Sequence, residues 1–181
     1  MKTAFALMAV TALLLSACAT SPSTRARSTR ARTPQSGATA KKPLSVKPGT
    51  RMTVRTTAYH HSEAGGRANG VGGRLRFGGS VYSAAADWSW LPLGTRFRMC
   101  CNDRTYVIED YGSALVGRKT IDLYMPTRRM MNSWGCRHVD IEILEWGSHA
   151  MSLKLLQDRQ RHQHVRTMVV ALRSQLHRAA L

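Results

Sequence analysis

Acid is what this 181-residue sequence has least of: ten Asp and Glu stand against 27 Lys and Arg, a formal net charge of +17. The acids are also unevenly spread. None falls between residues 19 and 49, only Asp158 falls after 147, and the rest lie in 50–147. The excess of base therefore sits mainly in the two tails, and suits nucleic acid, an anionic lipid surface or an acidic glycan. Cysteine is scarce too, with four residues. No Cys/His/Asp/Glu set has the paired spacing of a metal centre. His60-His61-Ser62-Glu63 has the residue types but no second cluster to complete it, which argues for no metal and no cofactor. No sequence feature pairs a cysteine with a base, so a thiol nucleophile is not indicated.

The chain begins with Lys2 and an apolar stretch, Phe5 to Leu15, too short to span a bilayer permanently. It ends Leu15-Ser16-Ala17-Cys18, which resembles the lipoprotein box of bacterial exported proteins. That resemblance implies cleavage before Cys18 and lipidation of its thiol, with residues 1–18 as signal peptide. Ala19 in the following position leans towards the outer membrane. Export would remove most of the force of a nucleic-acid reading. Residues 19–49 carry a repeat (Ser23-Thr24-Arg25-Ala26-Arg27, then Ser28-Thr29-Arg30-Ala31-Arg32) among scattered prolines, and read as a disordered basic linker.

Residues 50–147 read as one domain of short strands. Met52, Val54, Thr56 and Ala58 alternate with polar neighbours. His60 to Gly79 is a long glycine-rich loop, Val81 to Ala86 a strand leading to Asp87, and Arg96 to Cys101 a strand after Leu91-Pro92-Leu93-Gly94-Thr95. Phe97, Met99 and Cys101 are placed on one face of that strand, Asn102-Asp103 as a two-residue turn, and Arg104 to Glu109 as the return arm. Pro126 to Trp134 reads as a short helix with Met130 and Met131 inward and Gly135 at its end. Val139, Ile141 and Ile143 alternate along Arg137 to Trp146. Residues 148–181 change period: Val165, Met168, Val169, Leu172, Leu176 and Ala179 make one stripe of a basic amphipathic helix, suited to an anionic lipid surface, a protein partner or the domain itself.

The candidate chemistry lies between Val107 and Tyr124. Asp110 leaves one strand, Gly112 and Gly117 bound a loop, and Asp122 sits between Ile121 and Leu123 in the next. Two carboxyls flanking a tight loop can approach closely enough to raise one pKa. The plainer alternative has Asp110 capping the turn and Asp122 paired with Arg118 or Lys119.

Thr57-Ala58-Tyr59, Ala86-Asp87, Leu91-Pro92-Leu93-Gly94-Thr95, Glu109-Asp110-Tyr111-Gly112, Gly117 to Tyr124 and Trp134-Gly135 follow in an order that resembles the 3D (Asp-Asp-Asp) domain. The likeness extends to the catalytic barrel of membrane-bound lytic transglycosylase A, and more distantly to rare-lipoprotein-A-like domains. It implies a mainly β fold, a six-stranded double-psi β-barrel with a short helix and the C-terminal helix. It also implies cleavage of peptidoglycan glycan strands, with the family's aspartates at Asp87, Asp110 and Asp122. Asp122 would be the acid/base, Asp110 the neighbour that raises its pKa or holds substrate, and Asp87 a third wall. Trp88 stands where the family usually has proline, and Ser113 to Gly117 replaces a commoner loop that carries a lysine. Tyr59, Trp88, Trp90 and Tyr111 are candidates to stack on sugars, with core packing as the alternative. Export leaves a disulfide between Cys101 and Cys136 open beside free thiols. The rival readings are a non-catalytic peptidoglycan-binding barrel and an envelope adaptor. The expected partners are glycan strands, the membrane through the N-terminal lipid, and no nucleic acid, at the periplasmic face of the outer membrane.

Overall fold

The computed structural model describes residues 48–63 and 66–181; the signal segment, Cys18 and nearly all of the basic linker lie outside these residues. The strands are β1 (Arg51–Tyr59), β2 (Tyr82–Ala85), β3 (Arg96–Met99), β4 (Thr105–Asp110), β5 (Thr120–Tyr124) and β6 (Arg137–Glu145). They close in the order β1-β5-β2-β4-β3-β6, with β6 back against β1. Closure pairs the outer backbone groups of short strands that could not stand as an open sheet. The β1–β5 and β2–β4 pairs are parallel and the other four are antiparallel. Phe97, Met99, Tyr106, Ile108, Ile121, Leu123, Ile141 and Ile143 fill the core and are fully buried. Alternation along each strand sends their neighbours to the outer face.

Several local expectations are corrected. Strand β3 stops at Met99, because the turn takes four residues: Asp103 N–H returns to the Met99 carbonyl at 2.9 Å, with Asp103 at a φ of 59°. Cys100 and Cys101 are therefore in the turn and exposed rather than on a strand face. Helix α1 (Arg128–Trp134) buries none of its residues completely, and Met130 faces outward; only Met131 and Trp134 pack partly on the core. Its N-cap is Thr127, whose hydroxyl accepts from Met130 N–H, and Gly135 ends it at a φ of 62°.

The Cys101–Cys136 disulfide is also overturned, since both residues are free thiols. Register explains why. Cys100 N–H bonds the Asp140 carbonyl, whereas Arg137, next to Cys136, lies opposite Thr56 on β1. Four residues of strand separate Cys136 from Asp140, about 13 Å along β6, well beyond the roughly 7 Å that Cα atoms of a bridge can span.

The C-terminal tail is two helices, α2 (His149–Leu156) and α3 (Gln163–Ala180), joined through a 3₁₀ turn at Gln157–Arg159. The apolar stripe of α3 packs back on the barrel: Val165, Met168, Val169 and Leu172 are fully buried in the same cluster as Trp88, Leu91 and Leu156. Gln175 donates to the Ser89 carbonyl at 2.8 Å, and Leu93 N–H donates to Ser152 Oγ at 2.9 Å. The stripe is thus occupied by the chain itself, while Arg161, Arg166, Arg173 and Arg178 stay exposed.

Gly147 makes the junction of β6 and α2. A Cβ on it would collide with the backbone of Pro92, Leu93 and Thr95, none of which is a flexible side chain. Gly147→Ala is expected to cost about 3 kcal/mol, and to lower the melting temperature by about 10 °C. Thermal unfolding followed by circular dichroism checks this; a change under 2 °C would contradict the packing described.

Candidate active site

Asp87 follows β2, Asp110 ends β4 and Asp122 lies in β5, so the last two flank the loop as expected, but the loop does not bring them side by side. Strand β2 lies between β4 and β5, and its Ala85 is the register partner of both Asp110 and Asp122. The Asp110 and Asp122 Cα atoms are thus two strand spacings apart, about 10 Å, with a methyl group between them. On its other side Asp122 pairs with Thr57 of β1. Ile121 and Leu123 point into the core, so Asp122 faces the outer wall of the barrel. The register shift at Ala84/Ala85 is a bulge that re-aims Asp110, whose carboxylate accepts from Tyr59 Oη at 3.0 Å. Tyr59, Ala85, Leu115 and Tyr124 form a separate buried cluster on this outer wall, covered by Leu75 and Phe77 of the long loop.

The two carboxyls differ in what bonds them. Asp110 is buried and accepts from the Tyr59 hydroxyl, from Tyr111 N–H at 2.9 Å and from the Gly70 backbone. Desolvation pushes its pKa up, the charge of Glu109 adds to this, and the three donors oppose it. Asp122 has one donor, Thr57 Oγ1 at 2.7 Å. Its pKa rises to about 6, first through burial and then through the charges of Glu63 and Asp110; Thr57, and more weakly Arg55, pull the other way. Burial contributes more than the Asp110 charge to holding the proton. Nor does Asp122 form an ion pair with Arg118 or Lys119, both exposed beyond Gly117. Burial and the neighbouring Asp110 charge also push the Tyr59 hydroxyl up, so it remains a donor.

Asp87 has a different setting. It is buried, one oxygen accepting from Ser89 N–H at 2.8 Å and Ser89 Oγ at 2.7 Å, the other from Gly117 N–H at 2.7 Å. Those bonds tie the β2 exit to the loop that precedes β5, which positions Asp122. The aromatic candidates separate as well. Trp88 cannot stack on a sugar: it is fully buried, edge-on to Tyr111, and its indole N–H donates to the Asp110 carbonyl at 2.9 Å. Tyr59 is buried and serves Asp110 as a donor. Tyr111 is half-buried beside the carboxyl pair, and Trp90 is half-buried beside Asp87.

Sequence reasoning missed Thr57, Gly70 and Arg159 as parts of this site. Arg159 donates to the Gly70 carbonyl and lies 3.4 Å from Tyr111 Oη, so the C-terminal tail straps the loop onto Asp110. At Gly70 a Cβ would come within 3.2 Å of the Asp110 carboxylate and 3.0 Å of the Tyr111 ring, so any larger residue would have to push these side chains back. Thr57 carried a signal, because its alternation with Thr56 and Ala58 put it on the outer face of β1. Gly70 and Arg159 carried none, being brought in from distant parts of the chain.

Residues 82–145 match the 3D domain. The 3D segment spans β2 to β6 and holds all three aspartates, and its family is associated with peptidoglycan-related, lytic-transglycosylase-like barrels. Strand β1 with Thr57 and Tyr59, the covering loop, and the two C-terminal helices lie outside the matched 3D residues. No curated protein matches the chain. Among the described residues no group of three or more His, Cys, Asp or Glu side chains is arranged to hold a metal ion.

A pH signature follows from the Asp122 shift. Its folded pKa, about 6, exceeds the ordinary 3.8, so the protonated form favours folding. That contribution is complete below pH 3.8 and is lost as pH rises through about 6. Asp122→Asn, which cannot ionise, is expected to exceed wild type in stability by about 1–2 kcal/mol at pH 8, with the gap closing by pH 4. Urea unfolding at the two pH values measures it. A gap that does not change with pH would contradict the burial of Asp122.

Proposed function

We propose that this protein cleaves the glycan strands of peptidoglycan as a lytic transglycosylase, with Asp122 as its single acid and base. The observation that carries this reading is the contrast between two carboxyls flanking Ala85: Asp122, with one donor, keeps its proton to about pH 6, while Asp110, also raised by burial, accepts three hydrogen bonds that oppose the rise. Such unequal environments suit two carboxyls to different roles in one site. The protonated Asp122 gives its proton to the glycosidic oxygen between N-acetylmuramic acid and N-acetylglucosamine as the C1–O bond breaks. The muramic 6-hydroxyl oxygen then bonds C1, and its proton returns to the Asp122 carboxylate. The products are a free 4-hydroxyl and a 1,6-anhydro end, with no water consumed. Asp110 stabilises positive charge developing at C1 or orients the sugar through the network shared with Tyr59, and Tyr111 offers the adjacent aromatic surface. In this reading lipidated Cys18 anchors the barrel to the outer membrane, and residues 19–49 give it reach into the wall.

Digestion of purified sacculi, with products identified by mass, tests the proposal. Wild type should release 1,6-anhydro muropeptides, with activity falling as pH rises above about 6 because the acid must hold its proton. Asp122→Asn should lower release by a factor of about 10² to 10⁴. Full activity in that variant, or reducing ends in place of anhydro ends, would overturn the mechanism. Tight sacculus binding without any product would favour a glycan-binding barrel instead.

A further inference from the structure

Away from Asp110 and Asp122, a cavity of about 400 Å³ opens between the barrel and the C-terminal helices. Its walls include Trp90, Trp146, His149 and Gln175, and its rim carries Arg118 and Lys119. The Trp146 indole nitrogen is buried and finds no hydrogen-bond partner among the described residues, a donor without an acceptor. Gln175 Nε2 is bound to the Ser89 carbonyl, which leaves its amide oxygen free to accept. His149 also bonds the Ser89 backbone, and burial holds its pKa below the ordinary value, so its second ring nitrogen is an acceptor at neutral pH. The acid in the wall, Asp87, is bonded by Ser89 and Gly117 and forms no ion pair with either cation at the rim. Two indoles, a mixture of donors and acceptors, and cations at the mouth match a sugar ring that carries a carboxylate.

We propose that this cavity is a second glycan site, one that binds a carboxylated N-acetyl sugar. Arg118 and Lys119 meet the carboxylate, and Trp90 and Trp146 flank the ring. Choosing muramic acid as that sugar rests on the function proposed above; the acidic character of the ligand does not. Lys119 precedes Asp122 by three residues, about 10 Å of extended chain, so one glycan strand can occupy the cavity while its neighbouring bond lies at Asp122. His149 and Gln175 belong to helices outside the 3D match, which makes this site a property of the whole chain rather than of the matched segment.

The test is a titration of the intact protein with N-acetylmuramic acid and, separately, with N-acetylglucosamine, which lacks the lactyl carboxylate. Nuclear magnetic resonance reads the indole N–H signals of Trp90 and Trp146. N-acetylmuramic acid should shift both signals and bind about fivefold tighter, the size of one exposed charge contact. Arg118→Ala/Lys119→Ala alters exposed residues only and should abolish that advantage without loss of folding. N-acetylglucosamine 1-phosphate tests a phosphate source; tighter binding than N-acetylmuramic acid would overturn the carboxylate assignment. Equal affinities for the two sugars, or shifts that bypass both indoles, would overturn the site. Asp122→Asn should bind as wild type does, so loss of glycan cleavage and loss of this site are separate results.

Discussion

Water is kept from one side of a single carboxyl group, and the chemistry proposed for this protein depends on that exclusion. Asp122 sits in the wall of a closed barrel with fully buried Ile121 and Leu123 beside it and one hydroxyl to bond. An anion there would lose hydration that Thr57 alone does not replace, so the neutral acid persists to about pH 6. Asp110 is more deeply buried yet accepts three hydrogen bonds, which moderates the same penalty. The barrel produces this difference by inserting β2 between the strands that carry the two acids. Ala85 contributes the short side chain that leaves space between them.

The parts that hold this arrangement come from distant stretches of the chain. Asp87 bonds the backbone at Gly117 and steadies the path into β5. Trp88 fixes the Asp110 backbone from the core side. Arg159, in the turn between the two C-terminal helices, holds Gly70 of the covering loop. The helices are fixed in turn by their apolar stripe, buried against the Trp88–Leu91 region. Packing of the tail is thus linked to the loop that covers Asp110.

Much of the barrel could be read from alternation, because Val139, Ile141 and Ile143 on β6 or Ile121 and Leu123 on β5 are apolar at period two for a reason local to each strand. The order of the strands could not, since it depends on pairings between segments far apart, and so the insertion of β2 between the two acids was invisible. The same ignorance of register left a Cys101–Cys136 bridge open that the sheet forbids. Trp88 beside Asp87 suggested a sugar platform; only the fold shows that its ring points inward. The stripe of α3 was plain in the sequence, but periodicity names a buried face and not what buries it. The aspartates stood out in the sequence because three acids fall among the motifs that resemble the 3D domain, in a chain otherwise poor in acid. Their different settings, Asp87 tied to backbone, Asp110 with several donors and Asp122 with one, became visible only with the hydrogen bonds.

The ionisation of Asp122 itself is the most direct measurement. With the aspartates labelled at the carboxyl carbon, and the Asp122 signal assigned by its absence in Asp122→Asn, its chemical shift can be followed from pH 3 to pH 9 in the intact protein. A midpoint near 6 is expected. A midpoint at the ordinary value near 4 would mean that the carboxyl is solvated, and would contradict the account of this site as an acid held neutral by the barrel wall.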